Sequence, residues 1–253
     1  MPTVRQPHPT LQSDAASARS TSFVLHRHKI FATMLLCIVS LLLLSLAGQI
    51  AKYKFGYPTG LGLISLFYVD DENNLPSWFQ SIAYLFAALL LALIATPLWR
   101  GDEPWARHWS ALSAIFLFLS LDEMGSLHER TIEPLQRLIG TPTGMWAPTW
   151  VVLGIALVAV LGLAYLRFFL HLRWRERAHV MLALLLLVGG AVGVEMANSS
   201  LELGPEIQRK QTFQYAVMAH VEEGFEMLGL LVFIDFLLAR LVRAPMLRVR
   251  VES

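Results

Sequence analysis

The chain has 253 residues, of which 55% are hydrophobic and 15% are charged, and its formal net charge is +1. This composition is too apolar for an ordinary soluble domain, and it excludes a disordered or collagen-like chain. The one cysteine, Cys37, excludes an internal disulfide and a cysteine-rich zinc or iron–sulfur site. The near-neutral total charge gives no argument for nucleic acid as a partner.

Six apolar stretches are each long enough to cross a bilayer, which takes about 20 helical residues. Polar composition predicts a disordered cytoplasmic tail over residues 1–25 and a second cytoplasmic tail over residues 244–253. The sequence therefore predicts an all-α polytopic membrane protein, with a six-helix transmembrane bundle over residues 26–243. The predicted spans are residues 30–50, 78–98, 105–128, 150–170, 179–198 and 213–241.

The distribution of Lys and Arg predicts the orientation of this bundle. Fourteen of the 20 Lys and Arg residues lie in tails and loops that an inward N-terminus would place in the cytoplasm. Arg173, Arg175 and Arg177 concentrate the bias in one short connection. We therefore expect both termini inside, and most of the acidic residues then fall in the outer half.

Carboxylates lie inside three predicted spans, at a similar depth in the outer half of the bilayer. The third span ends around Asp122, the fifth ends around Glu195, and the sixth opens with residues 220–226. An acid at this depth is costly unless it faces protein groups, water or a metal, so it marks a candidate functional site. Because spans three and five run outwards and span six runs inwards, we expect these segments to meet.

The residue types in these segments indicate a divalent metal. His and carboxylate ligands without cysteine suit Zn, Fe or Mn. His220 and Glu223 share one face of the sixth span at i and i+3, as in metal sites of helical bundles. We predict a divalent metal held by Asp122, Glu195, His220 and Glu223, with an open position for water or substrate.

Three further residues are candidates for proton transfer beside the metal. Glu123, His128 and Glu226 are predicted to act as general acid or base. His128 reaches the site only if the third span bends near its end, for which Gly125 offers a place. His128 does not begin an HExxH protease motif, because Ile132 occupies the position of the second His.

On a straight helix, four polar residues at the end of the third span form one stripe. Asp122, Ser126, Glu129 and Glu133 would then line an access path from the outer surface. The acids that precede the second span, residues 70–72, lack the spacing of a calcium loop, so we expect an ordinary outer loop there.

These features predict a metal-dependent membrane enzyme, a hydrolase or an oxidase, acting on a lipid-soluble substrate. A proton- or cation-coupled transporter that uses the same carboxylates as a relay is an alternative. A noncatalytic scaffold with a buried polar network is another. Haem b held by His128 and His220 is disfavoured by the surrounding acids. Asp235 is the one acid deep in the inner half, and we expect it to be structural, paired with Arg240 or a backbone donor.

Two short segments resemble those of bacterial multi-pass inner-membrane proteins of uncharacterised function. These segments are residues 74–79, Asn-Leu-Pro-Ser-Trp-Phe, and the stretch from Leu121-Asp122-Glu123 to His128-Glu129. The resemblance implies a bacterial inner (plasma) membrane location. It implies no activity. Membrane lipid is the partner that the apolar spans predict.

Overall fold

A computed structural model describes residues 24–141, 143–200, 212–242 and 250–252. Most of the two predicted tails, residues 1–25 and 244–253, therefore lies outside the described residues. The described chain is almost entirely helical, as the composition predicts. Two three-residue strands, β1 (Val24–His26) and β2 (Arg250–Glu252), pair in parallel with Val24 opposite Arg250.

The long helices follow the predicted spans closely, and shorter helices lie in the connections at residues 56–74 and 126–149. A 3₁₀ turn, Gly60–Gly62, precedes α2, and two more, Glu129–Thr131 and Gly144–Trp146, flank α5. The α-helices are α1 (Arg27–Phe55), α2 (Leu63–Phe67), α3 (Leu75–Arg100), α4 (Ala106–Gly125), α5 (Ile132–Ile139), α6 (Trp150–His171), α7 (Trp174–Val188), α8 (Glu195–Ser200) and α9 (Phe213–Val242).

Four helical segments are long and apolar enough to cross a membrane: α1, α3, α6 and the continuous segment Trp174–Ser200 that contains α7 and α8. A fifth is formed if α4 and the segment Glu129–Ile139 are taken together, although they are bent by 80° at the break between them. The 30-residue α9 occupies the sixth predicted position, but it carries five charged residues along its length: Glu222, Glu223, Glu226, Asp235 and Arg240. The chain therefore has the helices of a multi-span membrane protein.

The last helix, α9, is the centre of the bundle and packs against α1, α3 and α7. Its C-terminal half, which the predicted orientation makes the inner half, is apolar and buried, and Leu230, Ile234 and Leu237 belong to a core shared with α3 and α4. Phe233 stacks on Phe116 of α4 with ring centroids 4.6 Å apart. The burial of this half fixes the position of the polar outer half of α9.

Asp235 has a structural role, as expected, but its partner is Arg27 rather than Arg240. The Nε and Nη2 atoms of Arg27 donate to the two carboxylate oxygens of Asp235, each over 2.6 Å. This fork ties the first turn of α1 to α9. Arg240 instead donates to Glu176 of α7 over 3.0 Å and lies 4.6 Å above the ring of Trp109.

A π-helical turn, Gly189–Val194, joins α7 to α8. A π turn inserts one residue into a helix, so it rotates the following residues by about 100° relative to an uninterrupted α-helix. This turn packs against α9, where a Cβ added to Gly190 would lie 2.8 Å from the carbonyl oxygen of Glu222. Gly190 therefore allows the turn that precedes Glu195 to approach the acidic part of α9.

A second glycine makes the contact between α7 and α9 possible. A Cβ added to Gly229 would lie 2.7 Å from the backbone nitrogen of Leu187 and 2.9 Å from the carbonyl oxygen of Ala183. Because these are backbone atoms, Gly229→Ala should lower the free energy of unfolding by about 1–3 kcal/mol. Gly193→Ala is the control, since nothing lies within 4 Å of its added Cβ. Thermal unfolding of the purified protein in detergent measures both, and equal midpoints would contradict this packing.

Candidate functional site

The end of α4 is bent, and the bend determines the geometry of the site. The helix ends at Gly125, and Ser126 adopts the left-handed conformation with φ of 49°. The chain then turns by 80° into the segment Glu129–Ile139. The bend expected near Gly125 is therefore present, with Ser126 as the residue that takes the unusual backbone conformation.

The bend also means that the predicted straight stripe along the third span does not exist. Ser126, Glu129 and Glu133 no longer share a helix face with Asp122, because α4 stops before them. The side chain of Glu133 is 76% exposed and pairs with Arg137 on the protein surface. Glu133 therefore lies outside the site, whereas the exposed Glu129 remains close enough to His128 for electrostatic interaction.

Asp122 and His128 form a hydrogen-bonded pair across the bend. The backbone N–H of His128 donates to Oδ1 of Asp122 over 2.7 Å, and Nδ1 of the ring donates to Oδ2 over 3.1 Å. A carboxylate accepts both bonds, so the proton of the neutral ring sits on Nδ1 and Nε2 keeps its lone pair. The His128 side chain is 33% exposed and its ring centroid lies 5.2 Å from that of Trp150.

Carboxylates of α4 and α9 meet beside this pair. Glu123 accepts a 3.4 Å hydrogen bond from Nε2 of Gln80 on α3. The strongest charged partners of Glu226 are Glu123, His128 and Glu195. The end of α4, the start of α8 and the outer half of α9 therefore meet in one cluster, as the sequence predicts.

The remaining acids of α9 extend the cluster towards α8. The strongest charged partners of Glu223 are Glu226, Glu123 and Glu222, all of them acids. The strongest partner of Glu222 is Glu195, and these two carboxyl groups are close enough for a hydrogen bond. Such a bond requires a proton on one of the two groups. The cluster thus combines acids that face other acids.

His220, a predicted metal ligand, bonds to the backbone of its own helix. Its Nδ1 donates to the carbonyl oxygen of Ala216 over 2.6 Å, and its ring centroid lies 6.2 Å from that of Tyr68. Its Nε2 is buried and makes no hydrogen bond with the described residues. The i, i+3 spacing of His220 and Glu223 therefore does not bring the ring nitrogens to a carboxylate.

The described residues do not present a ready-made metal site. No three His, Cys, Asp or Glu side chains among them converge in a way that could hold a metal ion. Of the four predicted ligands, Asp122 is engaged by His128, and His220 is engaged by Ala216. The carboxylates of Glu195 and Glu223 remain within the acidic cluster, so the metal stays a prediction.

Glu72 is a member of the cluster that sequence reasoning missed. It lies in the loop before α3, against Ser126 and near His128 and Asp122, and it interacts with Glu123. One of its carboxyl oxygens is buried without a hydrogen bond from the described residues. Burial raises the pKa of Glu72 above its usual value, although the nearby His128 partly opposes that shift.

The loop that carries Glu72 is held by specific hydrogen bonds. Asn74 caps α3 in a reciprocal capping box with Ser77, and its side-chain nitrogen donates to the carbonyl oxygen of Tyr68 over 2.6 Å. Tyr215 of α9 donates to Asp70 over 3.3 Å. The capping sequence is visible in the chain, but the direction in which the loop folds depends on these tertiary contacts.

The geometry can be compared with what known proteins show. The chain matches a family described as Domain of unknown function (DUF8692) over residues 30–241, and it belongs to that family. The match spans every member of the acidic cluster. No curated protein and no solved structure matches the chain. The family therefore assigns no activity, and the chemistry has to be argued from the residues.

The raised pKa of Glu72 predicts a pH dependence of stability. The folded protein holds this proton to a higher pH than the unfolded chain, whose Glu titrates near 4.5. Above pH 4.5 the folded state therefore binds more protons than the unfolded state at the same pH. Stability falls as the pH rises through this window. Glu72→Gln should flatten this decline in the unfolding midpoint above pH 4.5, while the exposed Glu133→Gln should not. Parallel curves for the wild type and Glu72→Gln would contradict the burial of this carboxyl group.

Proposed function

We propose that this protein is a membrane-embedded enzyme that acts on a lipid-soluble substrate, with His128 as its general base. The observation that carries the proposal is the Asp122–His128 pair at the edge of the acidic cluster. Asp122 fixes the tautomer and orientation of the ring, which leaves Nε2 to accept a proton. The partial exposure of His128 gives a substrate access to it.

Hydrolysis is the reaction class that this arrangement supports best. Nε2 of His128 would remove a proton from water as its oxygen attacks the scissile bond. The leaving group then needs a proton, and Glu226 and Glu123, which interact with each other beside His128, are the candidate donors. Acids that face other acids in a dry environment retain protons, so they suit this role.

A divalent metal, Zn, Fe or Mn, remains part of the proposal as a prediction. Such a metal would act as a Lewis acid and make bound water more acidic. The described side chains do not converge into a ligand set, so the proton transfers above are assigned to the chain's own residues.

The topology that accompanies this function has six spans, with α9 as the sixth and both termini in the cytoplasm of a bacterial cell. The excess of Lys and Arg on the inner side supports that orientation. The cluster then lies in the outer half of the inner membrane, where a lipid-soluble substrate can reach it from the side.

The inner half of α9 disfavours the rival function of a proton- or cation-coupled transporter. Below the cluster, α9 buries Leu230, Leu231, Ile234 and Leu237 in an apolar core. Its next acid, Asp235, is held by both donors of Arg27. A relay across the membrane needs exchangeable polar groups on both sides of the cluster, and the described part of α9 provides them on the outer side.

Product formation from native lipids tests the enzyme directly. The purified protein is reconstituted with a lipid extract of its source membrane, and the lipids are compared by mass spectrometry before and after incubation. Removing an oriented general base should slow product formation by about 10²–10⁴-fold in His128→Gln, with a similar loss in Asp122→Asn. Glu133→Gln is the control, because its side chain lies on the outer surface. Product formation that is undiminished in His128→Gln would overturn the proposal.

Elemental analysis tests the metal independently of turnover. If the predicted ligands hold a metal, the purified protein contains about one or two equivalents, as in mononuclear or dinuclear sites. The double variant His220→Ala/Glu223→Ala should lose that metal while retaining its unfolding transition. Metal content that is unchanged in this variant would show that these residues are not the ligands.

A further inference from the structure

The short helix α5 is amphipathic. On a helical wheel at about 100° per residue, one arc of about 120° carries apolar side chains and the opposite side carries polar ones. The apolar residues are Ile132, Leu135, Leu138 and Ile139, and the polar residues are Glu133, Gln136 and Arg137. Glu133 and Arg137 form an ion pair, and their side chains are 76% and 75% exposed. The helix therefore has a charged ridge and an apolar ridge on different sides.

The protein leaves much of the apolar ridge uncovered. None of the eight residues of α5, all of which the structure describes, is buried, and the helix packs mainly against the 3₁₀ turn that precedes it. Leu138 is 81% exposed and Ile139 is 54% exposed. A helix of this length is marginal in water without packing of its apolar face. Stabilisation of α5 therefore requires another apolar surface.

The direction of α5 is set by the bend after α4. The segment Glu129–Ile139, which contains α5, is turned by 80° relative to α4. The 20 residues of α4 already cover about 30 Å, the thickness of the hydrocarbon layer, so α4 does not need α5 to complete a span. With α4 as a span, α5 runs close to the membrane plane.

The level of α5 is set by its contact with the start of α6. Nε2 of Gln136 donates to Oγ1 of Thr149 over 3.3 Å, and Thr149 is the buried residue that precedes α6. Because α6 is long and apolar enough to cross a membrane, Thr149 lies near one surface of that membrane. Trp146, three residues earlier and 44% exposed, is of a type enriched at this boundary. Direction and level together place α5 at the membrane–water interface.

We propose that α5 is an interfacial helix that binds the membrane surface, with Leu138 and Ile139 in the lipid and the Glu133–Arg137 pair in water. The two charges of this pair cancel, so burial of apolar side chains rather than attraction to anionic head groups holds the helix there. Lipid supplies the apolar surface that the protein does not. The turn that carries His128 is thereby kept at the level of the lipid head groups. This inference goes beyond the proposed enzymatic activity and does not require it.

Spin labels on the two ridges of α5 test this placement. In the full-length protein with Cys37→Ser, the variants Leu138→Cys and Glu133→Cys are labelled and reconstituted into liposomes. Both side chains are more than three-quarters exposed, so a difference between the labels reports the surrounding medium. We expect the ratio of collisions with oxygen to collisions with a water-soluble nickel chelate to be several-fold higher at residue 138. Leu163→Cys, 76% exposed on α6, provides the reference value for lipid.

Hydrogen exchange tests whether the lipid stabilises α5. In liposomes, Leu138→Gln should speed amide exchange over residues 136–140 by about tenfold, equivalent to 1.4 kcal/mol of local opening free energy. Leu138→Met is the matched control, because methionine has a similar size and helix propensity but stays apolar. It should retain the wild-type rate. Equal rates in the two variants would overturn the inference.

Three results of the spin-label experiment would also overturn it. High nickel accessibility at both positions would place α5 in the aqueous phase. High oxygen and low nickel accessibility at both would make α5 the second half of a broken span. Low accessibility of residue 138 to both reagents would mean that a second copy, or residues outside the described ranges, cover the apolar ridge. Product formation that depends on His128 is measured separately, so the proposed function and the placement of α5 can fail independently.

Discussion

The cost of placing carboxylates in a poorly hydrated interior is the constraint on which the site depends. A carboxylate transferred from water to an apolar environment requires a proton, a cation or several hydrogen-bond donors. Glu123 obtains one donor from Gln80, and Asp122 obtains two from His128. The acids of α9 have other acids as their strongest partners. Acids in this arrangement are stabilised by bound protons or cations.

The two halves of α9 differ in composition and in the residues that they contact. The inner half is an apolar core element, and the fork between Arg27 and Asp235 secures it to α1. The outer half carries three glutamates and is approached by a π-helical turn that a glycine makes possible. The stability of one half allows the other to hold residues that a helix on its own would expose to water. The apolar core and the acidic cluster are therefore separated along a single helix.

Much of the fold follows from the sequence because hydrophobic length determines where helices can cross a bilayer. The positions of the long helices among the described residues were predictable for this reason, and so was the approach of the end of α4 and the start of α8 to the acids of α9. The orientation of the side chains in the site depends on departures from straight helices. The left-handed Ser126, the π turn before Glu195 and the folded outer loop each rotate a side chain in a way that a helical wheel cannot represent. At His220 the helical spacing suited a metal ligand, but the ring bonds to the carbonyl oxygen of Ala216 on its own helix.

The π-helical turn has a consequence for how this segment can vary between relatives. Because the turn contains one extra residue, a deletion or insertion of one residue would rotate all the following helical residues about the helix axis. Loss of a single residue between 189 and 194 would restore a regular α-helix and swing Glu195 by about 100°. The acid would then no longer face Glu222. Substitutions in this turn are thus tolerable wherever space allows, whereas a one-residue deletion would change which side chain reaches the cluster.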